Sequence, residues 1–184
     1  MELILLDRDG VINEDSDDYI KSPEEWHPIP GSIQAIARLN HAGYRVIIVT
    51  NQSGVGRGLF DIDTLGKIHQ KMCQQLEDAG ATVESIFYCP HTPEDNCECR
   101  KPKPGMFLDI EQRLGKSLKG VYAVGDSLRD LQAAQAVEAT PILVKTGKGM
   151  RTLQTSDPIL DRVQQFDDLY SFVEALLDGE QSKT

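Results

Sequence analysis

Three short apolar runs in this chain each end on a polar residue. Residues 3–6 run into Asp7, residues 46–49 into Thr50 and residues 121–125 into Asp126. Such runs suit strands buried on both faces of a parallel sheet. All strand C-termini then lie at one edge, which is where open α/β sheets bind ligands. Asp7, Thr50 and Asp126 are therefore expected together, and Asp9 stands two residues beyond Asp7. Gly10 offers the backbone freedom to bend so that both acids reach one place. Converging carboxylates repel and rise in pKa unless a cation sits among them. Oxygen ligands, few and shared with water, suit Mg²⁺. Carboxylates around Mg²⁺ make a site for phosphoryl chemistry, where the ion neutralises charge on the transferred group. Thr50, with the amides of Asn51, Gln52 and Ser53, offers donors to phosphate oxygens. Gly54, Gly56 and Gly58 allow close backbone approach.

A second cluster lies in a loop. Cys89, His91, Cys97 and Cys99 follow the pattern C-x-H-x5-C-x-C within 11 residues. Zinc takes four sulfur or nitrogen ligands in a tetrahedron, and a structural site fills all four places. Zn²⁺ is therefore expected here in a structural role. A disulfide would leave an odd thiol. The clip leads directly into Arg100 and Lys101, so it would hold both in position. Cys73 stands among apolar neighbours on a helix and reads as a core thiol. His27, His41 and His69 read as surface or packing residues.

The elements that must position these groups alternate. Strands are expected at residues 3–6, 44–49, 82–88, 121–124 and 142–144. Helical periodicity lies between them. One helix stops at Gly43, one at Gly80 and one at Gly115; a fourth begins at Leu128, and a fifth spans Leu169 to Leu176 with Asp167 as N-cap. This pattern implies an α/β sheet with helices on both faces. Residues 145–165 read as an irregular surface return. Residues 1–178 are expected to form one domain, with 179–184 as a flexible tail.

Composition excludes several classes. The chain has 184 residues, 19 bases against 29 acids and a net charge of −10. That opposes a nucleic-acid partner, which needs clustered Lys and Arg, and it opposes an anionic membrane surface. No run approaches the roughly 20 apolar residues of a membrane span. The first ten residues, MELILLDRDG, are not expected to act as a signal peptide, because the apolar run is short and meets charge at once. The cytoplasm is the expected location, and the size suits a monomer.

The ordered motifs carry a resemblance. Asp7-Arg8-Asp9-Gly10-Val11-Ile12, then Val49-Thr50-Asn51, then Lys101 with Pro102 and Pro104 following it, then Gly125-Asp126-Ser127 through Asp130, resemble the four signatures of the haloacid-dehalogenase superfamily of phosphatases. The resemblance implies a Rossmann-like three-layer α/β/α core with parallel strand order 3-2-1-4-5. It implies Asp7 as nucleophile and Asp9 as the residue that protonates the leaving group and then activates water. Mg²⁺ would sit on Asp7, the Asp9 carbonyl and Asp126. Thr50 and Lys101 would hold phosphoryl oxygens, and Asp130 would hold Lys101 or a metal-bound water. Only 42 residues separate Asp7 from Thr50, and 50 separate Thr50 from Lys101. Neither interval has room for a large cap domain. Loops must then hold a small phosphorylated substrate, with Asp15, Asp18 and the residues between them, Asn51, Ser53, Arg57 and Arg100 as candidates. Arg100 could grip a second phosphate or a hydroxyl.

The zinc loop resembles a subgroup acting on D-glycero-D-manno-heptose 1,7-bisphosphate or on histidinol phosphate. The stretch TNQSGVGRG at 50–58 and LVKTGKG at 143–149 resemble the heptose type. The short His91–Cys97 spacing matches the histidinol type. A phosphorylated sugar is the expected substrate. A zinc-stabilised binding module without catalysis would not need Asp7, Asp9, Thr50, Lys101 and Asp126 together.

Overall fold

The computed structural model describes residues 2–181. The elements run β1 (Glu2–Leu6), α1 (Ser32–His41), β2 (Tyr44–Asn51), α2 (Ser53–Gly56), α3 (Ile62–Asp78) and β3 (Ser85–Cys89). They continue as α4 (Gly105–Leu114), β4 (Tyr122–Gly125), α5 (Leu128–Gln135), β5 (Thr140–Val144), α6 (Gly149–Thr152), β6 (Gln164–Phe166) and α7 (Leu169–Gln181). The strands form one parallel sheet in the order β3-β2-β1-β4-β5-β6.

The continuous apolar runs are explained by the two packed faces. Ile4 and Leu6 of β1 join Val46 and Ile48 of β2 beneath α1, α3 and α7. Leu3 and Leu5, with Ile47 and Val49, face the other way onto Met106, Phe107 and Ile110 of α4 and Ala133 and Ala134 of α5. Burying each large side chain in β1 contributes about 1.5–3 kcal/mol. A polar residue anywhere in these runs would therefore cost more than a surface loop can offset. The chain turns polar only where the strands emerge at the edge.

Helix ends follow local chemistry. Asp61 caps α3, its carboxylate accepting from the Thr64 amide at 2.8 Å. Gly115 closes α4 at φ 60°, a conformation glycine adopts without steric cost. α5 begins with a reciprocal cap, in which Ser127 N–H and O–H both donate to Asp130 Oδ2, at 3.0 and 2.7 Å.

Three expectations are revised. The 145–165 segment is not wholly irregular. It contains α6 and ends in β6, which adds a sixth strand beside β5. Gln164-Gln165-Phe166 is too short and polar for a hydrophobic-run criterion to detect. The cap of α7 is Asp168, which accepts from the Ser171 amide at 2.7 Å, whereas Asp167 pairs with Lys145 at 2.8 Å. α7 runs on to Gln181, past the expected start of the tail at 179, and 182–184 lie outside the described residues.

Candidate active site

The C-terminal ends of β1, β2 and β4 deliver Asp7, Thr50 and Asp126 into one cleft of about 340 Å³. β1 pairs with both β2 and β4, so the two acids stand on neighbouring strands. The Asp7 amide still donates to Val124 O at 2.9 Å, so its backbone is held by the sheet. The chain then turns sharply: the amides of Val11, Ile12 and Asn13 all point at Arg8 O. Gly10 lies at φ 80°, and a side chain there would run into the Asp126 carboxylate. Gly147 is constrained in the same way, since a side chain there would meet both the Asp126 carboxylate and Gly10.

Lys101 is 2 % exposed and sits among three acceptors. Its Nζ lies 3.2 Å from Asp7 Oδ1, 2.6 Å from Asp130 Oδ1 and 2.6 Å from Val49 O. An ammonium has three N–H donors, and each finds a partner. Asp130 therefore has two roles: one oxygen caps α5 and the other holds Lys101. Burial works against ionising Asp130, but Lys101 and the Ser127 hydroxyl hold its carboxyl below the usual range. Burial also works against the Lys101 charge, and Asp130 and Asp7 outweigh it, so its pKa rises.

Asp7 and Asp126 are driven the other way. Burial raises Asp7 to about 7, with Lys101 opposing and Asp130 and Asp9 adding repulsion. Burial, then Asp130 and Asp7, raise Asp126 to about 8. One ammonium does not neutralise this set. Oxygens of Asp7, Asp126 and Asp130 lie within 4.8 Å of one another, and this donor set fits a hard divalent cation.

The Cys/His loop closes on itself. Sulfur–sulfur distances are 3.6 Å for Cys89–Cys97, 3.5 Å for Cys97–Cys99 and 3.1 Å for Cys89–Cys99. His91 Nδ1 lies 3.6 Å from the Cys89 sulfur and 3.3 Å from that of Cys99. A disulfide needs about 2.05 Å. A zinc tetrahedron with sulfur near 2.3 Å has edges of about 3.8 Å, close enough to these separations for the four atoms to gather around one ion. Arg100 donates to His91 O at 3.3 Å, which ties the loop to the cleft wall.

The model of the haloacid dehalogenase-like hydrolases matches residues 1–138. The chain belongs to this family. A Pseudomonas aeruginosa protein named D-glycero-beta-D-manno-heptose-1,7-bisphosphate 7-phosphatase is 53 % identical over 175 residues, 95 % of this chain and 97 % of the relative. A Bordetella bronchiseptica protein of the same name is 58 % identical over 153 residues, 83 % and 86 % of the two chains. The crystal structure of D,D-heptose 1,7-bisphosphate phosphatase from B. bronchiseptica, complexed with magnesium and phosphate, superposes with a TM-score of 0.93 at 53 % identity. It covers 97 % of this chain and 99 % of that one.

Within this haloacid dehalogenase-like hydrolase, Asp9, Asp15, Asn51, Ser53, Arg57 and Arg100 all line the cleft with Asp7, Thr50, Lys101 and Asp126. Asp18 does not. It is exposed, and its carbonyl accepts from the Lys21 ammonium at 2.8 Å. Asp15 is held by Lys148 at 2.6 Å, and Asp17 by Arg151 at 2.9 Å, so the 15–17 loop is pinned to the α6 region. The Asn51 side chain is spent on the Lys101 backbone, donating to its carbonyl at 3.0 Å and accepting from its amide at 3.1 Å. Its place is to hold the lysine.

Several residues of the hydrolase were not singled out from sequence. Lys148 donates its amide to Asp126 Oδ2 at 2.7 Å, and Arg129 lines the cleft. Buried Arg8 and Gln52 surround Asp9. Gln52 and Lys148 act on carboxylates 43 and 22 positions away, so no local signal distinguishes them, whereas Arg8 sits beside Asp9 in the chain and its burial shows only in the fold. Cys73 is half-buried against the α1/α3/α7 core, and burial raises its thiol pKa. Among the described residues, no helix is long and apolar enough to cross a membrane.

Proposed function

We propose that this hydrolase removes the 7-phosphate of D-glycero-β-D-manno-heptose 1,7-bisphosphate through an aspartyl-phosphate on Asp7. The observation that carries the substrate is near-full-length likeness to phosphatases of that name, 53 % identity over 95 % of the chain. The chemistry follows from the site.

Asp7 Oδ attacks phosphorus, an O–P bond forms, and the bond to the sugar oxygen breaks. One hard displacement becomes two easier ones. Asp9 gives its proton to the departing alkoxide, then takes one from the water that attacks the aspartyl-phosphate. Phosphate leaves and Asp7 is regenerated. Lys101, 3.2 Å from Asp7, stabilises charge on the transferred group without having to move. In the resting site Arg8, Asn13 and Gln52 outweigh burial and hold the Asp9 pKa low. An incoming phosphate is a like charge, and it moves Asp9 back towards protonation. Asp7, Asp126 and the Asp9 carbonyl would hold Mg²⁺, which supplies charge neutralisation at the phosphoryl oxygens. Arg57 and Arg100 would grip the second phosphate. Zn²⁺ would fill Cys89, His91, Cys97 and Cys99. The enzyme acts as a cytoplasmic monomer.

The test is a comparison of kcat/KM on heptose bisphosphate and histidinol phosphate with Mg²⁺ present. A preference of at least about 10²-fold for the heptose ester is expected, since a site built for many hydroxyls discriminates strongly against a ligand lacking them. Preference for histidinol phosphate would reject this substrate. No turnover of any phosphate ester would indicate a binding module.

Metal analysis is expected to find one zinc per chain. Stripping it frees the loop that carries Arg100 and Lys101. The Tm then falls by roughly 10 °C, because metal binding energy is folding energy in such sites. Activity falls with it and returns with Zn²⁺, not with Mg²⁺ alone. A zinc-free protein of equal Tm and activity would refute the structural role.

A further inference from the structure

Arg8 lies between two acids in the chain and is wholly buried. Its guanidinium is bound on every edge. Nε and Nη2 donate to Asp9 Oδ1 at 3.0 and 2.8 Å, and Nη2 also reaches Asp9 Oδ2 at 3.1 Å. Nη2 approaches Gln52 Oε1 at 3.2 Å. The remaining edge, Nη1, lies 3.1 Å from Nε2 of His69 on α3. Gln52 completes the ring by donating from Nε2 to Asp9 Oδ2 at 2.8 Å and to Thr50 Oγ1 at 2.9 Å.

An arginine can only donate, so His69 Nε2 must present a lone pair. The ring is therefore neutral and carries its proton on Nδ1. Burial, reinforced by the Arg8 charge and opposed by Asp9, lowers the His69 pKa to about 4, so this form persists at neutral pH. The imidazole is itself braced edge-on by Tyr88 of β3, with ring centroids 6.2 Å apart. A buried guanidinium with one edge unpaired would turn to find another acceptor. Turning it would carry away the pair of donors that aims Asp9.

We propose that His69 is a positioning residue, which fixes the Arg8 guanidinium and through it the Asp9 carboxylate at the angle needed for proton transfer. This rests on the reading of Asp9 as the proton carrier. α3 thereby becomes part of the catalytic apparatus, although no atom of it is needed to touch the transferred phosphate.

Proton transfer matters most when the leaving group is a poor one. A sugar alkoxide needs the proton, whereas p-nitrophenolate leaves without it. The experiment compares kcat/KM on heptose bisphosphate and on p-nitrophenyl phosphate for the parent, Asp9→Asn, His69→Leu and His69→Gln. Positioned acid catalysis is worth about 10²–10⁴-fold. His69→Leu is expected to lower the sugar-ester value about tenfold more than the aryl-ester value, a partial loss of that effect. His69→Gln, which keeps an acceptor oxygen, recovers most of the difference. An equal fall on both esters for His69→Leu, with Asp9→Asn still selective, overturns the inference alone. An equal fall for Asp9→Asn removes the proton-carrier role, and the inference goes with it. If His69→Leu does not fold, ¹⁵N spectra of the parent decide the point. An unprotonated His69 Nε2 at pH 7 is expected, and a protonated one refutes the Arg8 contact.

Discussion

Asp7→Asn stops phosphate release. Steady-state turnover is expected to fall by about 10⁴-fold or more, since removing the proposed nucleophile eliminates the covalent route instead of weakening one contact. The loss should not come from unfolding. Asp7 is already pushed up to about 7 by burial, so a neutral side chain of the same shape relieves a charge the site tolerates poorly. Its backbone remains tied to Val124. Circular dichroism and Tm should match the parent to within a few degrees. A complementary measurement uses beryllium fluoride, which adds to the attacking carboxylate. The adduct is expected on Asp7 in the parent and absent in the variant. An adduct on another residue, or turnover within tenfold of the parent, would end the account.

Lys101→Met should damage both activity and stability. Its ammonium joins Asp7, Asp130 and Val49 O, and among the described residues the two carboxylates have no other ammonium or guanidinium at hydrogen-bonding distance. The loss of one preorganised donor to the transferred group costs about 10²–10³ in kcat. Leaving buried carboxylates without their partner costs about 3–5 kcal/mol. The pH dependence has a definite sign. With Lys101 gone, the Asp130 pKa in the folded protein moves from below its unfolded value to above it. A raised folded pKa means the folded state binds the extra proton, so stability drains away as pH rises from the unfolded pKa to the folded one. Urea unfolding without added magnesium should show the variant closest to the parent near pH 4 and furthest from it at pH 8. Arginine is not expected to rescue it, because a planar fork does not match three acceptors arranged around one nitrogen. A loss of stability that is the same at both pH values would refute this picture.

The strand ends were legible because burial leaves a plain mark. β1 and β2 must be apolar on both faces, so Asp7 and Thr50 stand out where the runs stop. The Cys/His cluster was legible because its four side chains fall within 11 residues. Asp130 was legible as a companion of Lys101, though its second duty as the α5 cap was not. Asp18 was misplaced because it is near Asp15 in sequence, and that nearness does not say which way an exposed loop turns its side chains. β6 escaped because two of its three residues are glutamine.

Residue types and spacing alone therefore determined which polar groups come together, which sheet carries them and at which edge they meet. Those are consequences of local burial and of strand direction. Tertiary structure alone decided what surrounds each group. Arg8 meets Gln52 across 44 positions and His69 across 61, and Lys101 meets Asn51 across 50. Such partners are chosen when a buried donor must find the one acceptor that packing has brought within reach. That choice depends on where distant helices come to rest, which no short stretch of chain encodes.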